Sequence, residues 1–184
     1  LSRARLICGD ATLIADADRI IASVLSQKRD VAKVAADVRE MRQLIDKEKP
    51  AESLWDFKLI PGGLVDLEFI AQYLTLVAPA KGLPLHEPGE STSDALKRMA
   101  SEAMEPQTHD DCIEAMRLFT ELSQIIRLCI DTDFDPKQAP AGLIDLVCRA
   151  GDCPDIATLE GEIKRLSKAV RKAFLSLVSS KGDS

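Results

Sequence analysis

At 184 residues, with 46% apolar residues and a formal net charge of −6, the chain can bury one sizeable core and does not have the composition of a disordered polymer. No apolar run approaches the roughly 20 residues that span a bilayer. The acidic balance, without a basic block or interleaved basic and aromatic residues, excludes a general nucleic-acid binder.

In chain order, Arg3 and Arg5 precede only a short apolar stretch before Gly9 and Asp10, which is not a secretion signal. A start at Leu1 rather than Met is what a piece of a longer protein would show. Asp10 can cap a helix with Ile14, Ala17, Ile21 and Val24 on one face. A second helix begins near Asp30, carries Val31, Val34, Val38, Met41 and Ile45 at helical spacing, and ends at Pro50. A third runs from a Gly-Gly pair to about Ala78, with Pro79 as its expected stop.

Ser91 or Ser93 can open a fourth helix carrying Leu96, Met99 and Ala103. The fifth is the longest, with Cys112, Met116, Phe119, Leu122, Ile126 and Cys129 in one row and Leu118, Ile125 and Leu128 in a second. A short helix over 141–149 and a last long one from Ile156 to Leu177 follow. The segments 79–90 and 132–140 read as loops, and the final "SSKGDS" as a frayed end. The predicted fold is all-α, a single bundle of five to seven helices.

The five cysteines form no metal-binding spacing, and Cys112 and Cys129 sit where small core residues would. They read as reduced thiols of a cytoplasmic protein. His86 and His109, far apart and without a triad partner, read as surface residues. Lys164, Arg165, Lys168, Arg171 and Lys172 make the polar side of the last helix a cationic stripe, a solvated face that could contact an acidic partner.

One stretch departs from this pattern. "WDFKLIPGGLVDLEFIAQYL", residues 55–74, holds the chain's single Trp and Tyr, a Pro-Gly-Gly turn and two acidic residues at the mouth of its most apolar helix. Alternation of Trp55, Phe57 and Leu59 with Asp56 and Lys58 predicts a short extended segment, and Pro61 keeps Ile60 out of the α region. Gly62 and Gly63 can take positive φ and let the chain turn sharply into the helix. Asp66 lies in the first turn, favoured by the helix dipole, yet on a side shared with Phe69 and Ile70. A charge there needs a partner, either Lys58 or a distant Arg. Glu68, Gln72 and Thr75 form a separate polar stripe, so the two carboxylates are not a catalytic pair. A Gly-Gly turn at a helix N-terminus with Lys58 before it is either a purely structural turn or one that could hold a phosphate.

The segment "DFKLIPGGLVDLEFIAQYL" resembles the hallmark of the helical domain that follows a nucleotidyltransferase domain in glutamate-ammonia-ligase adenylyltransferases. The matching residues are Asp56, Lys58, Gly62, Gly63, Asp66, Glu68, Phe69, Gln72 and Tyr73, and "RARLICGD" and "VREMR" upstream are also similar to that family. Sister uridylyltransferases of the PII protein share a related "PGGLRD" turn but match less well.

The resemblance implies one helical domain over 1–184. Residues 1–10 would join an upstream nucleotidyltransferase domain, 11–50 would form two helices, 55–78 the hallmark and 91–179 the C-terminal helices. "EFIAQYL" resembles the C-terminal half of such enzymes, which by resemblance transfers AMP from ATP to a tyrosine of glutamine synthetase with Mg²⁺. The Gly-Ser turn and paired aspartates of the nucleotidyltransferase signature are absent. Asp133 and Asp135 in "TDFDP" read as a loop, so the segment is expected to hold no catalytic or metal-ligating residue and to be inactive alone. Its candidates for facing nucleotide or the neighbouring domain are Lys58, Gly62, Gly63, Asp66 and Glu68, with Arg3, Arg5, Arg39 and Arg42. The alternative is a regulatory module that binds PII or senses glutamine; a plain structural bundle is the third possibility. No nucleic-acid or membrane partner is expected.

Overall fold

The computed structural model describes residues 1–87 and 89–179. Among the described residues seven helices follow one another, α1 (Ala11–Leu25), α2 (Val31–Glu48), α3 (Leu64–Lys81), α4 (Thr92–Ala103), α5 (Pro106–Cys129), α6 (Ala141–Ala150) and α7 (Ile156–Val178). No strand occurs among the described residues, and the protein is all-α.

Most starts follow from side-chain caps. The Asp10 carboxylate accepts from the Thr12 and Leu13 amides, Asp30 from Ala32 and Lys33, and Asp155 from Thr158. Each satisfies amides that a helix start leaves without intrahelical partners. Ser91 opens α4 by accepting from the Asp94 amide at 3.1 Å and donating to the Asp94 carboxylate at 2.6 Å.

α3 is the axis of the bundle and packs against α2, α4, α5 and α7. It is apolar nearly all round, as a central helix must be. Leu67, Ile70, Tyr73, Leu74 and Val77 are buried along it, facing Leu96 and Met99 of α4, Phe119 of α5 and Phe174 of α7 within one core. α6 closes the far side against α5 and α7. No described helix is long and apolar enough to cross a membrane.

Several sequence expectations need correction. α3 passes through Pro79 and stops at Gly82, whose φ of 70° makes the left-handed C-cap. The proline's fixed φ suits a helix, and its missing N–H removes one bond in the last turn without breaking it. Thr75 is not on a polar stripe: it is buried, and its hydroxyl donates to the Ala71 carbonyl at 2.8 Å. Met41 is 50% exposed and Leu128 87% exposed, while Cys129 is exposed too. In both helices these positions lie past the edge of the stripe that neighbouring helices cover. The expected frayed end lies, from residue 180 onward, outside the described residues.

Candidate functional site

Residues 53–63 fold as consecutive turns, not as the extended segment that alternation predicts. The Asp56 carbonyl accepts from the Leu59 and Ile60 amides at 3.0 Å, and Ser53 Oγ accepts from the Trp55 amide at 3.2 Å. Ser and Asp side chains stabilise turns in this way, and no second strand is present to hold the segment straight. Aromatic packing fixes the result. Trp55 meets Phe57 and Phe134 edge-on, with centroids 5.8 and 4.6 Å apart, and Phe57 stacks on Phe119 at 5.5 Å.

The Pro-Gly-Gly turn is set by close backbone approach on two sides. Gly62 has φ of +81°, and a Cβ there would stand 1.8 Å from the Ser167 carbonyl oxygen of α7. A Cβ on Gly63 would stand 2.4 Å from the Phe57 carbonyl oxygen. The amides around the turn are already used. Gly63 donates to the Ile60 carbonyl at 2.8 Å, Leu64 to Phe57 at 2.8 Å and Val65 to Lys58 at 3.2 Å. Gly62 donates to Asp66 Oδ2 at 2.6 Å. The amides of residues 62–65 therefore all have protein acceptors.

Asp66 is fully buried and is the centre of a four-residue ion network. Its Oδ1 accepts from Arg42 Nε, and Arg171 Nη1 approaches both carboxylate oxygens at 3.2 and 3.1 Å. Arg42, 1% exposed, donates from Nη1 to Asp46 Oδ1 at 2.5 Å and from Nη2 to the Leu59 carbonyl at 3.1 Å. Arg171 Nη2 closes the ring to Asp46 Oδ2 at 3.4 Å. Two guanidinium and two carboxylate groups balance, and the buried ones have hydrogen-bond partners, which is the condition for tolerating charge in a core. The network ties α2, α3 and α7 to the turn. The distant-arginine partner expected for Asp66 is thus Arg42, joined by Arg171, and Lys58 is not involved.

Of the candidate residues, Gly62, Gly63, Asp66 and Arg42 lie together in the interior. Lys58 is exposed one turn away, Arg39 is half-buried on α2, and Arg3 and Arg5 are exposed in the N-terminal segment. Glu68 faces outward and holds Arg3 Nη1 at 2.9 Å. The network members missed in the sequence were Asp46 and Arg171. Asp46 carried a local signal, four residues after Arg42 on the same helix face. Arg171, 105 residues from Asp66, carried none beyond its place in a basic stripe.

The histidines differ from expectation in one case. The His86 side chain is only 4% exposed, with Nδ1 3.3 Å from Glu90 Oε2. Glu90 is itself held by Arg98 at 2.8 and 2.7 Å. His109 is partly exposed and lies 3.0 Å from Asp110. Asp135 stays in a loop, where its carboxylate accepts from the Lys137 amide at 3.0 Å and from Gln138. These bonds hold its pKa below the usual carboxylate value. Among the described residues no group of three or more His, Cys, Asp or Glu could hold a metal ion.

Fold and site together define an all-α domain built around one anchored turn, in which Asp66 of the motif, with Arg42, Asp46 and Arg171, braces the frame. Along nearly its whole length the chain is similar to bifunctional glutamine synthetase adenylyltransferase/adenylyl-removing enzymes. It is 70% identical over 182 residues to that of Agrobacterium fabrum and 60% identical over 179 residues to that of Rhizobium meliloti, covering 99% and 97% of the chain. The relative in Mesorhizobium japonicum is 42% identical over 174 residues. The chain is similar to one segment of these proteins and spans about 18% of the length of the first two relatives. No family model and no solved structure matches it.

Proposed function

We propose that this chain is the helical domain of the adenylylating half of a glutamine synthetase adenylyltransferase, positioned beside a nucleotidyltransferase domain in the parent protein. The observation that carries the reading is the 70% identity over 182 residues. The parent would transfer AMP from ATP to a tyrosine of glutamine synthetase in the cytoplasm. ATP and Mg²⁺ would be held on the neighbouring domain; among the described residues no group of three or more His, Cys, Asp or Glu could hold a metal ion.

The geometry suggests how the domain serves that chemistry. Nucleotidyl transfer depends on orientation and on charge placed where phosphate charge develops. A lid that closes over such a site needs a fixed angle, and the Asp66 network with the Gly62 turn supplies a stiff one. The outward groups here are Lys58 and Glu68 of the motif and Arg3 of the N-terminal segment. The Arg3–Glu68 bridge binds the N-terminal segment onto the first turns of α3, which supports residues 1–10 as the junction. In this reading Asp66, Arg42, Gly62 and Gly63 are positioning residues, and Lys58, Arg39 and Arg5 are free to meet nucleotide or the neighbouring domain.

The test is AMP incorporation into glutamine synthetase by the full-length parent, wild type against Lys58→Ala and Glu68→Gln, with fold verified by circular dichroism and melting. Loss of transfer with the fold intact supports the enzyme-part reading. Unchanged transfer with an altered response to PII or glutamine would replace it with the regulatory-module reading. The 184-residue chain alone is expected to transfer no AMP.

A further inference from the structure

The cationic stripe of α7 is not uniformly solvated. Lys164 pairs with Glu160 at 3.6 Å, and Arg165 holds Glu162 and Asp111, each at 2.7 Å. Arg171 is turned inward to Asp66 and Asp46. Lys168 and Lys172 are exposed and take part in no ion pair among the described residues. They stand four residues apart on the same side of the helix, about 6 Å along its axis.

These two lysines line a shallow cleft of about 590 Å³ between α7 and the hallmark turn. Its apolar lining is Leu54, Ile60, Pro61 and Leu175, with Leu175 49% exposed. The lining contains three cations and no carboxylate, on a chain whose net charge is −6. Arg171 is already neutralised by its own aspartates, so Lys168 and Lys172 are the uncompensated charge. An apolar strip with basic residues at its edge is the complement of an amphipathic segment with acids on one side and aliphatic anchors on the other. Lysine stems can cover the apolar strip while their ammonium groups meet carboxylates.

We propose that this cleft docks an acidic amphipathic peptide segment of a partner protein, with carboxylates on Lys168 and Lys172 and an aliphatic side chain against Leu175 and Pro61. The inference does not depend on which reaction the parent performs. The occupant would rest on the turn that Asp66 clamps, so docking would be felt at the hallmark itself.

The probe is a fluorescein-labelled helical peptide with Glu pairs four residues apart and Leu at three- and four-residue spacing, titrated into the 184-residue chain by anisotropy. Low ionic strength is used, where the Debye length exceeds about 10 Å. Saturable binding is expected, weakened about tenfold or more by Lys168→Glu with Lys172→Glu, and severalfold by Leu175→Ser. All three positions are exposed, so melting curves should coincide with wild type and separate lost binding from lost fold. Absence of saturable binding overturns the proposal. So does equal binding of polyglutamate, or indifference to Leu175→Ser, since either would mean charge attraction without a cleft. A dimer in sedimentation that Leu175→Ser dissociates would assign the cleft to a second copy, and preferential binding to phosphatidylserine vesicles would assign it to a membrane surface; both overturn it.

Discussion

The α-carbon of Gly62 lies so close to the Ser167 carbonyl that any side chain would collide with α7, a Cβ standing 1.8 Å from that oxygen. The turn and the last helix are in backbone contact there, and the positive φ of +81° adds a second barrier to substitution. Gly62→Ala should therefore destabilise the protein by roughly 3–5 kcal/mol, the range of severe packing lesions. Gly82 is the control, since it too has positive φ (+70°) but nothing within 4 Å of a built Cβ. Gly82→Ala should cost only about 1–2 kcal/mol, the left-handed backbone penalty. Urea unfolding of both variants checks the difference; equal losses would mean that the contact with α7 yields easily.

Removing the charge at Asp66 tests the ion network. Asp66→Asn keeps an acceptor but leaves Arg42, 1% exposed, without its buried counter-charge. Breaking such a pair from one side costs about 3–5 kcal/mol. For a chain of this size that is a fall in Tm of roughly 6–20 °C. Scanning calorimetry reads it, and a melt within two or three degrees of wild type (about 1 kcal/mol) would show that the network is not a brace.

The thiols should divide by burial. Burial pushes the Cys112 thiol up to about 12, whereas Cys8 and Cys129 are exposed. The thiolate is the reactive form. At pH 8, Cys8 and Cys129 should react rapidly with an aromatic disulfide reagent and Cys112 only as fast as the protein opens. Mass spectrometry of partially labelled protein identifies the sites, and prompt labelling of Cys112 would contradict its place in the core.

Asp155 gives a pH signature. Its carboxylate accepts from the Thr158 amide at 2.7 Å, and bonds to the Thr158 backbone and side chain hold its pKa below the usual value. The sign follows from linkage. A depressed folded pKa contributes stability that is complete above the unfolded value, about 3.9, and is lost as pH falls through the folded value. Asp155→Asn keeps a good N-cap but cannot titrate. Its stability relative to wild type should therefore improve as pH is lowered below about 4. Melts between pH 2.5 and 6 test this; a constant difference across that range would exclude a role for the charge.

The helices were legible because their determinants are local. Asp10, Asp30, Ser91 and Asp155 act on amides two or three residues away. Asp66 could be recognised as a charge in need of a partner, because one helix face already showed the conflict. The partner Arg171 could not be identified, since nothing local distinguishes it from Lys168 or Lys172. The turn at 53–60 misled for the complementary reason. Alternation at Trp55, Phe57 and Leu59 suits a strand only if a neighbouring strand exists, and the chain supplies Phe119 and Phe134 instead. His86 and Met41 depended on what other segments cover, which no periodicity encodes.

Arg171 lies 105 residues beyond Asp66, and that interval has a consequence during synthesis. At about 5–20 residues per second, the ribosome adds the arginine roughly 5–20 s after the aspartate. Until then α2 and α3 can pair through Arg42, but Gly62 has no Ser167 backbone to rest on and one side of the carboxylate faces water. The Pro-Gly-Gly turn, early in the sequence, is thus completed only when α7 arrives.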